Sequence, residues 1–122
     1  MTWRYVLDEH LRGPLWRAIQ WHNGRGVFPL DVVRVGDPAD LPLGSEDPAL
    51  LLWAEREQRL LVTHDPDTMP AHFADHLNAG RHSPGVFMIR PRSTLPQIVS
   101  FLVAAAYASE PAEWFDRLQY IP

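Results

Sequence analysis

Four strand-length apolar runs recur along the chain, with helix-forming stretches and turns between them. This alternation limits the fold more than any other feature. The runs are "WRYVL" (3–7), "DVVRV" (31–35), "RLLVTH" (59–64) and "GVFMIR" (85–90). Leu11, Leu15, Ala18, Ile19 and His22 fall at helical spacing after the first run, and Gly24 and Gly26 stop that helix. "DPALLLWAEREQ" (47–58) predicts a second helix, with Asp47 as N-cap and Pro48 in the first helical position. "AHFADHLNAG" (71–80) predicts a third, closed by Gly80. Thr94 and Gln97 form a capping-box pattern that opens a fourth, running to about Ala108. "RLQYI" (117–121) is read as a fifth, edge strand. Strands alternating with helices specify an α/β domain with a mainly parallel sheet of four to five strands. Strand one is expected at its centre. The 122 residues are the size of one domain, read as 1–122.

Composition narrows the chemistry. The chain has no cysteine, so it has no disulfide, thiolate ligand or thiol nucleophile. Its basic residues are all arginine, which excludes any mechanism that needs a lysine. The net charge of −4 argues against a protein that grips nucleic acid through an overall basic character. The longest apolar run, "FLVAAAYA" (101–108), is too short to span a bilayer, and no basic-then-apolar leader opens the chain. The expectation is a soluble, cytoplasmic protein with no membrane partner.

The acids then take on a pattern. Asp8 and Glu9 follow strand one directly, Asp65 and Asp67 follow strand three, and Glu46 and Asp47 open the helix leading into strand three. In a parallel sheet these points share the carboxyl edge, where sites of such folds lie. Converging carboxylates repel, and a hard divalent cation relieves that repulsion. An ion held there would suit metal-assisted phosphodiester hydrolysis. Each acid singly has a plainer explanation as a turn or cap residue. Asp37-Pro38, Asp47-Pro48 and Asp65-Pro66 repeat one turn-forming dipeptide. A phosphoacceptor domain also places acids at strand ends, but such sites use a lysine that this chain lacks.

"VLDEHL" together with "GSEDPALLLWAEREQRLLVTHDPD" resembles the small stand-alone proteins of the PIN-like family, over most of the chain. The resemblance implies a three-layer α/β/α sandwich and a Mg²⁺- or Mn²⁺-dependent ribonuclease site, in many relatives the toxin of a toxin–antitoxin pair held by a small antitoxin protein. It implies Asp8, Asp47 and Asp65 as metal ligands and catalytic residues, with Asp67 the more peripheral catalytic acid. Glu46 rivals Asp47 as the middle acid, and Glu9 matches a family position of less defined role. The chain departs from the pattern at His10 (usually Asn), Arg12 (usually Pro), His64 (usually Arg) and Thr68 (usually aromatic). The alternative is a catalytically silent PIN-like module that binds RNA or a protein partner.

Three further groups stand out. Arg90 and Arg92, after strand four, are candidates for holding a substrate phosphate or are exposed loop arginines. His72 and His76 share a helix face and with His64 or Asp75 would form a transition-metal site, although a solvated face is the simpler reading. "IVSFLVAAA" (98–106) is apolar nearly all round, so it is either deeply buried or covered by a second copy or an antitoxin.

Overall fold

The computed structural model of the protein describes residues 3–122. Strands β1 (Arg4–Leu7), β2 (Asp31–Arg34), β3 (Leu60–Thr63), β4 (Val86–Ile89) and β5 (Leu118–Ile121) alternate with helices α1 (Pro14–Gly24), α2 (Asp47–Glu57), α3 (Met69–Asn78) and α4 (Leu95–Ala108), with α1 following β1 and α4 preceding β5. The strands form one sheet in the order β2-β1-β3-β4-β5, and every neighbouring pair is parallel. Val6 of β1 lies opposite Val33 on one side and Leu61 on the other. The expected place of strand one is corrected. β1 is interior, but β3 takes the middle because β5 adds a strand beyond β4.

Side chains on a strand alternate between faces, so each strand feeds two cores. Tyr5, Leu7, Leu60, Val62, Phe87 and Ile89 join one core with Leu15 and Ile19 of α1 and Ile98 and Leu102 of α4. Val6, Leu61, Val86 and Met88 join the other with Leu50 and Leu51 of α2 and Met69 and Phe73 of α3. Tyr5 donates its hydroxyl to the Leu102 carbonyl at 2.7 Å inside the first core, and burial pushes its phenol pKa up.

The element ends follow local chemistry. Gly13 precedes Pro14, and α1 begins at that proline, later than the Leu11 periodicity suggests. Leu11 lies in a short 3₁₀ turn (Glu9–Leu11) but still reaches the α1 core. Asp47 is the first residue of α2 rather than its N-cap. Glu46 takes the cap position without a side-chain cap bond, and Pro48 sits one place further into the first turn. α3 starts at Met69, two residues before the expected Ala71, because a proline at position 70 is tolerated in a first turn. The Thr94–Gln97 capping box forms on both sides, as predicted. Gly85 adopts φ +134°, and a Cβ there would stand 2.7 Å from the Trp114 carbonyl, so the approach of the β5 segment to β4 requires glycine.

Candidate acidic site

Because β1 and β3 are adjacent and parallel, their carboxyl ends leave the sheet side by side. The Asp8 amide donates to the Val62 carbonyl at 3.0 Å, which carries β1 one residue past its last pair. Alternation then turns Asp8, like Val6, and Thr63, like Leu61, toward the side covered by α2 and α3. The two meet there. Thr63, fully buried, donates its hydroxyl to Asp8 Oδ2 at 2.8 Å. The His10 amide donates to Asp8 Oδ1 at 3.3 Å. Asp8 is itself only 8 % exposed, a buried carboxylate with one partner on each oxygen.

Asp65 folds its own loop. Its Oδ1 accepts from the amides of Asp67 (3.0 Å) and Thr68 (3.2 Å), and its Oδ2 accepts from the Thr68 hydroxyl at 2.5 Å. The Thr68 hydroxyl, then the Asp67 and Thr68 amides, hold the Asp65 carboxyl below its ordinary value, and His64 adds to this.

The same Thr68 oxygen lies 3.2 Å from Asp47 Oδ2. A hydroxyl carries one proton. The contact to Asp65 is the shorter, so Asp47 is the less well served of the two. Burial pushes the Asp47 carboxyl above its ordinary value. The charges of Asp8 and Asp65 push it the same way, against the Thr68 hydrogen bond and the nearby His72. Asp47 therefore feels both of the other acids, across segments separated by tens of residues.

Asp8, Asp47 and Asp65 thus converge on the α2–α3 side of the carboxyl edge. Glu46 is exposed and makes no capping bond, so Asp47 is the residue of the pair that enters the group. Asp67 stands exposed on the rim, joined to the group through its backbone amide. Glu9 points elsewhere: its Oε1 accepts from the Gly44 amide at 2.5 Å and ties down the loop before α2. Arg90 and Arg92 are exposed beyond β4, and neither forms an ion pair among the described residues.

Thr63 and Thr68 are the residues that sequence reasoning missed as site members. A threonine ending a strand of otherwise buried apolar residues was the available signal for Thr63. Thr68 was noted only as a departure from an aromatic, and its hydroxyl turns out to link two of the acids.

The solvated face expected for His72 and His76 is corrected, because His76 is buried and His72 half-buried. His76 is buried, with Nε2 2.8 Å from the His82 carbonyl and 3.1 Å from Glu55, whereas His72 lies near Asp47. His64 turns to the other side of the edge, where its ring stacks on His10 with centroids 6.0 Å apart. Among the described residues no group of three or more His, Asp or Glu is arranged to hold a metal ion. No helix among them is long and apolar enough to cross a membrane.

Comparison of the chain with protein-family models, with curated proteins and with solved structures finds no match.

Proposed function

We propose that the protein is a PIN-like, metal-dependent ribonuclease. The observation that carries this reading is the convergence of Asp8 and Asp65, at the exits of two adjacent parallel strands, with Asp47 at the start of α2, the last two sharing the Thr68 hydroxyl. Nature rarely crowds acids without use, since each added charge raises the cost of the others. The donors are all oxygen, which suits Mg²⁺ or Mn²⁺, and an ion that keeps several of its waters does not need three carboxylates in direct contact. Asp8, Asp47 and Asp65 would hold the ion, with Asp67 assisting from the rim. When bound, the ion would supply an activated water and charge stabilisation at a phosphodiester.

The chain's own residues do the positioning. Thr63, itself fully buried, holds Asp8 Oδ2 in place. Thr68 spaces Asp65 from Asp47. Outer partners of this kind orient ligands and typically govern metal affinity by about 10- to 100-fold.

Thermal melts with and without Mn²⁺, run beside a ribonuclease assay on wild type and Asp65→Asn, test the reading. Mn²⁺ should raise the wild-type melting temperature, because a ligand of the folded state stabilises it. Asp65→Asn should lose that shift and the cleavage together. Equal response of both proteins to Mn²⁺ would remove Asp65 from the ligand set. A wild type that binds Mn²⁺ and cuts nothing would favour the silent module.

A further inference from the structure

The carboxylates of this acidic chain are unevenly placed. Residues 10–30 and 76–109 contain no Asp or Glu, and these two stretches include all of α1 and all of α4. They do contain Arg17, Arg25, Arg90 and Arg92, each exposed and none with a carboxylate partner among the described residues. The α1–α4 side of the sheet is therefore locally positive although the chain as a whole is negative.

On that side Arg17 and Trp21 of α1 and Arg25, its C-cap, follow one another at four-residue spacing. Trp21 is 69 % exposed, the most exposed large apolar side chain of the described residues. The Arg25 guanidinium lies over its ring, 5.1 Å from the centroid. Trp21 and Arg25 line a groove of about 330 Å³ with Leu95 and Val99 of α4. Leu95 also borders a second hollow of about 410 Å³, lined by the stacked His10 and His64 and by Arg90. His10 is two residues from Asp8 and His64 adjoins Asp65. Together the two hollows, which share Leu95, mark a depression on the α1–α4 side, with two imidazoles and an arginine at one end and an exposed indole flanked by arginines at the other. From Pro14 to Trp21 the helix rises about 10 Å, room for roughly three nucleotides at the stacked spacing of one strand.

We infer that this depression is the path of a single-stranded nucleic acid, with Trp21 as the platform on which an unpaired base stacks and Arg17, Arg25 and Arg90 on its phosphates. Exposed aromatic rings interleaved with unpaired cations are the two ingredients of single-strand binding. A duplex keeps its bases stacked on one another and offers no face to Trp21. The inference rests on the ribonuclease reading only for the identity of the acidic edge, and it can fail or hold without it.

The test is fluorescence anisotropy with labelled single-stranded RNA and DNA of about 12 nucleotides, at low salt with a chelator present so that nothing is cut. Wild type should bind at least one of the two, and the arm that binds identifies the sugar. Trp21→Ala should weaken binding by about 10-fold, while Trp21→Phe keeps most of it. Arg25→Gln should lower the salt dependence by about one released counterion. Circular dichroism melts confirm that each variant is folded. Asp65→Asn should bind as well as wild type or better, because a negative charge is removed from the edge. Unchanged affinity in Trp21→Ala, or no binding by wild type, overturns the path. So does a wild-type dimer that Trp21→Ala converts to monomer with no change in nucleic-acid affinity, which would make this face a contact between copies. In each of these cases Mn²⁺-dependent cleavage lost in Asp65→Asn would leave the ribonuclease reading standing. Trp21-dependent binding with no response to Mn²⁺ would sink that reading alone.

Discussion

α1 and α4 cover one side of the sheet by burying Leu15, Ile19, Ile98 and Leu102. α2 and α3 cover the other by burying Leu50, Leu51, Met69 and Phe73. As cores the two sides are alike. They differ outside the core. On the α2–α3 side charges are mostly answered within the chain: Arg56 pairs with Asp40, and Arg81 pairs with Glu55, which also holds His76. The exceptions are the acids at the carboxyl edge, which face one another. On the α1–α4 side Arg12 and Arg34 share Asp37, but Arg17, Arg25 and Arg90 have no carboxylate partner among the described residues, and Arg25 lies over an exposed tryptophan. Packing needs only an apolar stripe from a helix, so it accounts for what the two sides share. Their opposite charge needs another cause, and the proposed binding of an anionic polymer on one side and of a cation on the other would supply one.

The largest expected effect tests the likeness. Leu102→Ala and Leu61→Ala remove fully buried side chains from the two cores. Each should cost about 2–5 kcal/mol in a urea unfolding curve. A cost below about 1 kcal/mol on one side only would show that the cores are not equivalent.

The next tests the polar edge. Thr68→Val keeps the shape of the side chain but removes the hydroxyl shared by Asp65 and Asp47. Mn²⁺ affinity, read by titration calorimetry, should fall by about 10- to 100-fold. The Asp65 carboxyl should also rise toward its ordinary value, since the hydroxyl is the main cause of its depression. Unaltered affinity would mean that Thr68 only shapes the turn.

Acid dependence separates Asp47 from Asp65. Asp47 has a raised folded-state pKa, so at neutral pH its ionised form costs stability, and the cost disappears as pH falls through that pKa and then below the unfolded value of 3.8. Asp47→Asn should therefore stabilise the metal-free protein at pH 7 by under about 1 kcal/mol, given its partial exposure, and should give no benefit at pH 3. Asp65 has a lowered pKa, so its contribution is present above 3.8 and is lost as pH falls through the folded value. Asp65→Asn should show no gain from that source. Melts across pH 3–7 in a chelating buffer distinguish the two. Equal behaviour would contradict the asymmetric sharing of the Thr68 proton.

The smallest effect concerns the arginines. Arg81→Ala should cost up to about 1 kcal/mol through its exposed pair with Glu55. Arg17→Ala should stay within about 0.5 kcal/mol of wild type, because no carboxylate answers it. Chemical denaturation of both variants gives the comparison. A clear loss from Arg17→Ala would place that residue in the folding balance rather than in binding.

The sequence by itself determined most of the architecture. Strand-length apolar runs, prolines in first helical turns and the Thr94–Gln97 box are local signals, and local backbone preference expresses them directly. It also brought three of the acids to one edge, because parallel strands separated by helices leave few other topologies. Only the tertiary structure decided which oxygen meets which. The middle place of β3 depended on whether β5 paired, and pairing is a long-range event with no local mark. Asp47 prevailed over Glu46 because helix phase turns it toward Asp8 and Asp65, whereas Glu46 faces water. Glu9 left the group to bind the Gly44 amide, and Thr63 and Thr68 entered it through hydroxyls whose partners lie 55 and 21 residues away. Such contacts depend on distance and direction between side chains on different elements. One-residue steps along a strand reverse those directions, and spacing in the sequence does not record them.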